Sequence, residues 1–211
     1  MKPEWISAIA SIFTALGVIF VAFQAYFAKQ QLDSTVKQMK SDHERSRRKT
    51  TIELMLKWIE NLDIKTASSR KLTESLDDST CEKIYNMEKT SIAVEHKTLL
   101  QGILDLKEER IQNSDAFIEI TDYESSIIRS YVLNYLNSLE TILTGWRLSV
   151  VDKEIVEDEF IYLYNTEKDK CVLHNFRNTA GVHTYPSIKA FCLSLNDKFS
   201  KEKIATKENV V

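Results

Sequence analysis

Glycine and proline are scarce: four Gly and two Pro occur in 211 residues. Tight turns and hairpins lean on these two residue types, so their scarcity excludes a β-rich fold with many turns. Long helices joined by a few polar loops are expected instead. Four scattered glycines also cannot build a phosphate-cradling loop. Cysteine is nearly absent. Cys81, Cys171 and Cys192 are an odd, sparse set, which makes no disulfide framework and suits a reducing compartment. The formal net charge is only −3, so bulk charge gives no reason to expect nucleic acid as a partner.

One further absence is local. From Trp5 to Ala28 there is no charged residue over 24 positions. A helix of that length is about 36 Å long, enough to cross a hydrocarbon core of about 30 Å. A cleaved export signal has a shorter apolar region and small residues before the cut. Here the exit reads Tyr26-Phe27-Ala28, so the segment is expected to stay attached. Trp5 and Tyr26 stand near its two ends, where amphipathic rings favour the interface. Ser7, Ser11 and Ala15 recur every four residues, a spacing that lets helix backbones approach in lipid. Only Lys2 precedes the run, whereas Lys29, Lys37, Lys40, Arg45, Arg47, Arg48 and Lys49 follow it. The positive-inside bias then predicts a single pass through a bacterial inner membrane, N-terminus outside and C-terminal domain cytoplasmic.

The stretch that follows has no Gly or Pro up to Leu62. Leu32, Val36 and Met39 form a short helical seam, which fades at His43, Ser46 and Thr50. Ser41-Asp42-His43-Glu44 has the form of a capping box, so a helix could restart there. A new apolar face, Ile52, Met55, Leu56, Ile59 and Leu62, marks entry into a domain. The basic cluster Arg45, Arg47, Arg48 and Lys49 reads first as a solvated or salt-bridged helix face. On a continuous upright helix it stands about 25 Å beyond Ala28, outside a Debye length of about 8 Å. The expected division is an anchor over 1–28, a charged helical stalk over 29–50, a cytosolic α-helical domain over 51–200 and a disordered tail over 201–211.

Within the domain, Asp78 or Ser79 can cap one helix, and Val94, Leu99, Leu100, Ile103, Leu104 and Leu106 suggest another. FIEI at 117–120 could be a short strand without an evident partner. Thr121-Asp122-Tyr123-Glu124 is a capping box. Behind it, Ile128, Tyr131, Tyr135, Leu136, Leu139, Ile142, Leu143 and Trp146 predict the strongest helix of the chain, with one broad apolar stripe. Asp152 is placed to cap a following helix with Ile155, Val156, Phe160, Leu163 and Tyr164 inward. Pro186 suits the first turn of a last helix through Phe191, Leu195 and Phe199. The fold class expected is all-α: one transmembrane helix, a stalk and a cytosolic helical bundle.

The stretches SDHERSRRKTTIELMLKW and YVLNYLNSLETILTGWRLSVVDKEIVEDEF resemble an uncharacterised bacterial family described as a domain of unknown function. The resemblance covers about half of the chain. It implies one N-terminal span, a charged helical stalk and a helical cytosolic domain. Some members lie in prophage or defence regions, which implies a part in phage–host conflict. The family offers no catalytic motif to carry over.

Chemistry is sparse. FRNTAGVH holds Arg177, then Asn178, and six positions after the Arg it holds His183, which is similar to the Arg–polar–His motif of HEPN-type ribonucleases. In such a site His moves the proton and Arg holds the phosphate charge. With eight Arg and four His in the chain, that spacing is about as common as chance. Cys171, His174, His183 and Cys192 could be read as zinc ligands, but the second pair lacks tight spacing. Asp152, Glu154, Glu157, Asp158 and Glu159 are expected on a solvated helix face. No cofactor or metal is expected. The expected partners are the lipid bilayer through residues 5–28 and a protein or a second copy of the chain. The function expected is a membrane-anchored interaction or regulatory module, with the Arg177–His183 ribonuclease as the alternative.

Overall fold

A computed structural model describes residues 3–107, 110, 116–165, 170–181 and 183–208; the side chains of 3–12, 15 and 202–208 lie outside the described set. The chain divides into two compact units, Met1–Arg47 and Arg48–Val211. The architecture is mostly helical, as expected from the scarcity of Gly and Pro.

The first unit belongs to helix α1 (Pro3–Asn61), which runs through Ser41 without a restart. The capping-box form at 41–44 is therefore not used. Its residues keep helical backbone because no Gly or Pro interrupts the run. Among the described residues no helix is long and apolar enough to cross a membrane. The uncharged run is only partly among them, since the side chains of Trp5, Ser7, Ser11 and Ala15 lie outside. Within the described part, Phe13, Leu16, Val18, Ile19, Phe20, Val21, Phe23, Tyr26 and Phe27 are all exposed.

The second unit begins with the last turns of α1. Here the inward face differs from the expected one. Thr51 and Trp58 are buried and Leu54, Met55 and Leu62 pack partly against the core, while Ile52, Leu56 and Ile59 are exposed. Two apolar faces overlap at Met55 and Leu62, and the large indole of Trp58 decides which turns inward. Its ring lies 5.2 Å from Tyr135 and meets Phe160 edge-on at 5.6 Å.

Helix α2 (Ile64–Ser75) starts at Asp63, whose carboxylate accepts the Thr66 N–H at 2.6 Å. Helix α3 (Asp78–Tyr85) is capped by Asp77, one residue before the expected caps. Strand β1 (Thr90–Ala93) leads into α4 (Lys97–Leu104), where Leu100 and Ile103 are buried. Strand β2 (Phe117–Ile120) does have a partner. It pairs antiparallel with β1, Thr90 opposite Ile120 and Ala93 opposite Phe117.

Helix α5 (Asp122–Arg147) is the centre of the domain. Its capping box is formed: the Glu124 N–H donates to Thr121 Oγ1 at 3.3 Å, and Glu124 accepts the Thr121 N–H at 2.8 Å. The predicted stripe is buried, with Val132 added and Tyr131 half-buried. Each fully buried large apolar side chain contributes about 1.5–3 kcal/mol before entropy is counted. Gly145 lies where a Cβ would meet Val151 at 3.1 Å, so glycine permits this close packing. Helices α2 and α3 pack on α5, as does the last helix.

Helix α6 (Lys153–Glu159) buries Val156, and Phe160 follows it, but Ile155 stays 37% exposed. A short hairpin, β3 (Tyr164–Asn165) with β4 (Lys170–Cys171), leads to α7 (His174–Ala180) and then α8 (Pro186–Glu208). Proline opens α8 as expected, and its next two N–H groups donate to the Glu140 carboxylate at 2.8 and 3.0 Å. The cysteines depart from the expectation of free thiols. β4 and α8 bring Cys171 and Cys192 to a Cα separation of 6.0 Å, and the two are disulfide-bonded. Cys81 remains free and buried.

Candidate functional site

The α2 helix carries Thr66, Ser69 and Thr73 along one buried face. Short side chains there let α4 and α5 pack closely on it. Next to that face stands Arg70. Its guanidinium lies 5.7 Å from the Tyr135 ring centre and 5.7 Å from that of Tyr162. Glu74, one turn on, accepts from Arg70 Nη2. Three separate elements thus fix one cation: α2, α5 and the turn Ile161–Leu163. Burial pushes both tyrosine hydroxyls above their ordinary range, so both stay neutral.

Arg70 borders a cleft of about 390 Å³ between α2 and the β3–β4 hairpin. Thr73, Tyr162, Lys170, His174 and Asn175 also line it. Thr73 is 1% exposed, and among the described residues neither its hydroxyl nor the buried Arg70 Nε has a hydrogen-bond partner. Leu173, at the edge of the cleft, has φ 51° and ψ 37°. A left-handed leucine costs about 1–2 kcal/mol, and such backbone strain tends to persist at ligand clamps.

A second cleft of about 160 Å³ shares His174 with the first and is lined also by Arg177, Asn178, Gly181, Tyr185 and Lys189. Burial, reinforced by the Arg177 and Lys170 charges, lowers the His174 pKa below its ordinary value. The ring is neutral at pH 7. Asn178 Nδ2 donates to His174 Nε2 at 3.1 Å, which leaves the ring proton on Nδ1.

Of the Arg177–His183 pair, only Arg177 lines a cleft among the described residues. Arg177 turns inward, and its Nε donates to the Val172 carbonyl at 2.8 Å. His183 is exposed and lines neither cleft. The histidine that shares a cleft with Arg177 is His174, three residues earlier on α7. The zinc reading fails on its donors, because Cys171 and Cys192 are consumed by their mutual disulfide. Among the described residues no group of His, Cys, Asp and Glu could hold a metal.

The remaining sequence candidates are dispersed. Arg48 donates to Asp152 at 3.3 Å, and Lys49 lies 3.8 Å from Glu53. Arg45 is exposed and Arg47 half-buried. Asp152 thus serves an ion pair rather than capping α6 with its side chain. Glu157 of the acidic run accepts the Trp146 indole N–H at 3.0 Å. Tyr26 is exposed beside Phe27. The pairing of Arg70 and Thr73 on α2 with Lys170 on β4 escapes a reading of sequence spacing because the two elements are remote along the chain. Compared with family models, curated proteins and solved structures, the chain matches none.

Proposed function

We propose that the chain is a membrane-anchored interaction module. Residues 5–28 cross the bilayer once, the charged stalk follows, and the helical domain works in the cytoplasm, whose reducing poise opens the Cys171–Cys192 bridge. One observation carries this reading. From Phe13 to Phe27, α1 exposes nine large apolar side chains spread around its whole circumference. A helix that is apolar all round needs lipid or a protein core around it. The Lys and Arg excess after Ala28 supports the orientation.

A binding role, rather than catalysis, is supported by the exposed face Ile52, Leu56 and Ile59 at i, i+4 and i+7 on the last turns of α1. That spacing is a helical docking stripe for a protein partner or a second copy. The ribonuclease alternative has less support, because Arg177 Nε is engaged by the Val172 carbonyl and His183 lines neither described cleft. The resemblance to single-span proteins from prophage and defence regions supports a part in phage–host conflict.

The test is a pair of C-terminal reporter fusions in a bacterial host. A fluorescent, membrane-associated green protein fusion together with an inactive alkaline phosphatase fusion is the expected result. A fully active phosphatase fusion would overturn the orientation. A soluble fluorescent fusion would overturn the anchor itself.

A further inference from the structure

The cleft beside Arg70 has properties that the anchoring role does not use. Its two flanking cations come from different elements, Arg70 on α2 and Lys170 on β4. Glu74 engages Arg70 through Nη2 only, so most of the guanidinium's five donors remain. Lys170 is exposed and forms no ion pair among the described residues. Among the described residues, Thr73 and Arg70 each keep a buried polar atom without a protein partner. A buried donor left in this way requires water or a ligand atom. The tyrosine rings on Arg70 hold its plane in place, as a preorganised anion site needs. The depressed pKa of His174, lowered partly by Arg177 and Lys170, reports a positive local field. The volume, about 390 Å³, falls in the range of small-molecule sites.

We propose that this cleft binds a phosphorylated small molecule, with Arg70 and Lys170 holding the phosphoryl oxygens. Phosphate suits the arrangement for two reasons. It offers several oxygens to donors that line one cleft from different elements, and its charge suits the net positive wall left once the Glu74 carboxylate, also lining the cleft, is set against Arg70 and Lys170. Asn175 sits at the same wall, but its Nδ2 already donates to the Leu76 carbonyl at 3.0 Å, which leaves its amide oxygen for the organic part of the ligand.

The test uses the full chain in a detergent that carries no phosphate, in chloride buffer. Titration calorimetry is run with inorganic phosphate, with a nucleoside monophosphate and with the matching nucleoside. Saturable binding of a phosphate-bearing probe and none of the bare nucleoside is expected. Equal binding of phosphate and the monophosphate assigns the site to the phosphoryl group alone; tighter binding of the monophosphate shows that the organic part is read as well. Lys170→Glu lies on an exposed side chain and should weaken binding at least tenfold with the unfolding midpoint unchanged. Arg70→Lys keeps the charge, loses the fork and should weaken it similarly. Lys189→Ala, in the neighbouring small cleft, should leave affinity within twofold. No heat with either phosphate probe, or binding that Lys170→Glu does not change, would sink the proposal.

Discussion

The carboxylate of Glu140, midway along α5, accepts the backbone N–H of Ser187 at 2.8 Å. Its second oxygen takes the Ile188 N–H at 3.0 Å, and Thr144, one turn on, shares a hydroxyl hydrogen bond with Ser187 at 2.9 Å. One glutamate therefore caps a helix that lies far away in sequence. Such a cap also places negative charge at the positive end of the α8 dipole. Glu140→Ala should cost about 1–2 kcal/mol in urea unfolding of the full chain. Glu140→Gln keeps one acceptor and should recover part of that loss. Equal stability of all three proteins would remove the cap from the account.

Acid should weaken the domain through Glu124. Hydrogen bonds from Arg110, opposed by burial and aided by those from Thr121, hold its carboxyl down at about 2, against an ordinary value of 4.5. A depressed carboxylate stabilises the fold fully above its unfolded pKa, and the contribution disappears as pH falls from 4.5 towards 2. Screening at this partly exposed pair reduces the effect to roughly 1–2 kcal/mol. Wild type and Glu124→Gln should differ by that amount at pH 7 and converge near pH 2. A gap that stays constant with pH would show that the charge is not responsible.

Leu139 is fully buried at the middle of α5. Leu139→Asp places an unpaired charge there and should cost about 4 kcal/mol or more. Circular dichroism melting of the full chain in detergent measures it, and an unchanged domain transition would contradict the assigned inner face.

The cysteines make a separate prediction. Purified without reductant, the native chain should react with no thiol reagent, since burial and nearby Asp77 and Asp78 push the Cys81 pKa up to about 12. After unfolding, one thiol should titrate, and three after reduction. Cys192→Ser should lower stability by about 3 kcal/mol in the absence of reductant, from the loop-closure entropy of about 20 residues. The same substitution should have little effect when dithiothreitol is present. Three reactive thiols in the unreduced, unfolded wild type would mean that the bridge is not made.

How much of this was legible depends on the range of the signal. Helix α5 can be read because its cap and its apolar period lie within one continuous segment, Thr121 to Trp146. The start of α8 at Pro186 can be read for the same reason. The β1–β2 pairing cannot, because each strand has four residues and Ser91 meets Glu119 across 28 positions. The inward face of α1 differs from the expected one, because Ile52, Leu56 and Ile59 have the same local period as the residues that pack inward. The Arg70 cleft is hidden for a stronger reason. Its cation, its tyrosines and Lys170 belong to four elements, and only the packing around α5 brings them together. The Arg177–His183 spacing is visible in sequence, but spacing does not show that Arg177 Nε is held by the Val172 carbonyl.

The last turns of α1 have a consequence for synthesis. Thr51 Oγ1 accepts the backbone N–H of Asp152, a residue 101 positions later, and Trp58 on the same turns waits for Phe160. At about 5–20 residues per second, the ribosome takes roughly 5–20 s to deliver those partners. Throughout that interval the indole lacks its partners, and Ile52, Leu56 and Ile59 stand on another face of the same turns. The nascent chain therefore carries its stickiest surface early and closes its core late. A chaperone that shields short apolar helical stripes would find its target on α1 before the rest of the domain exists.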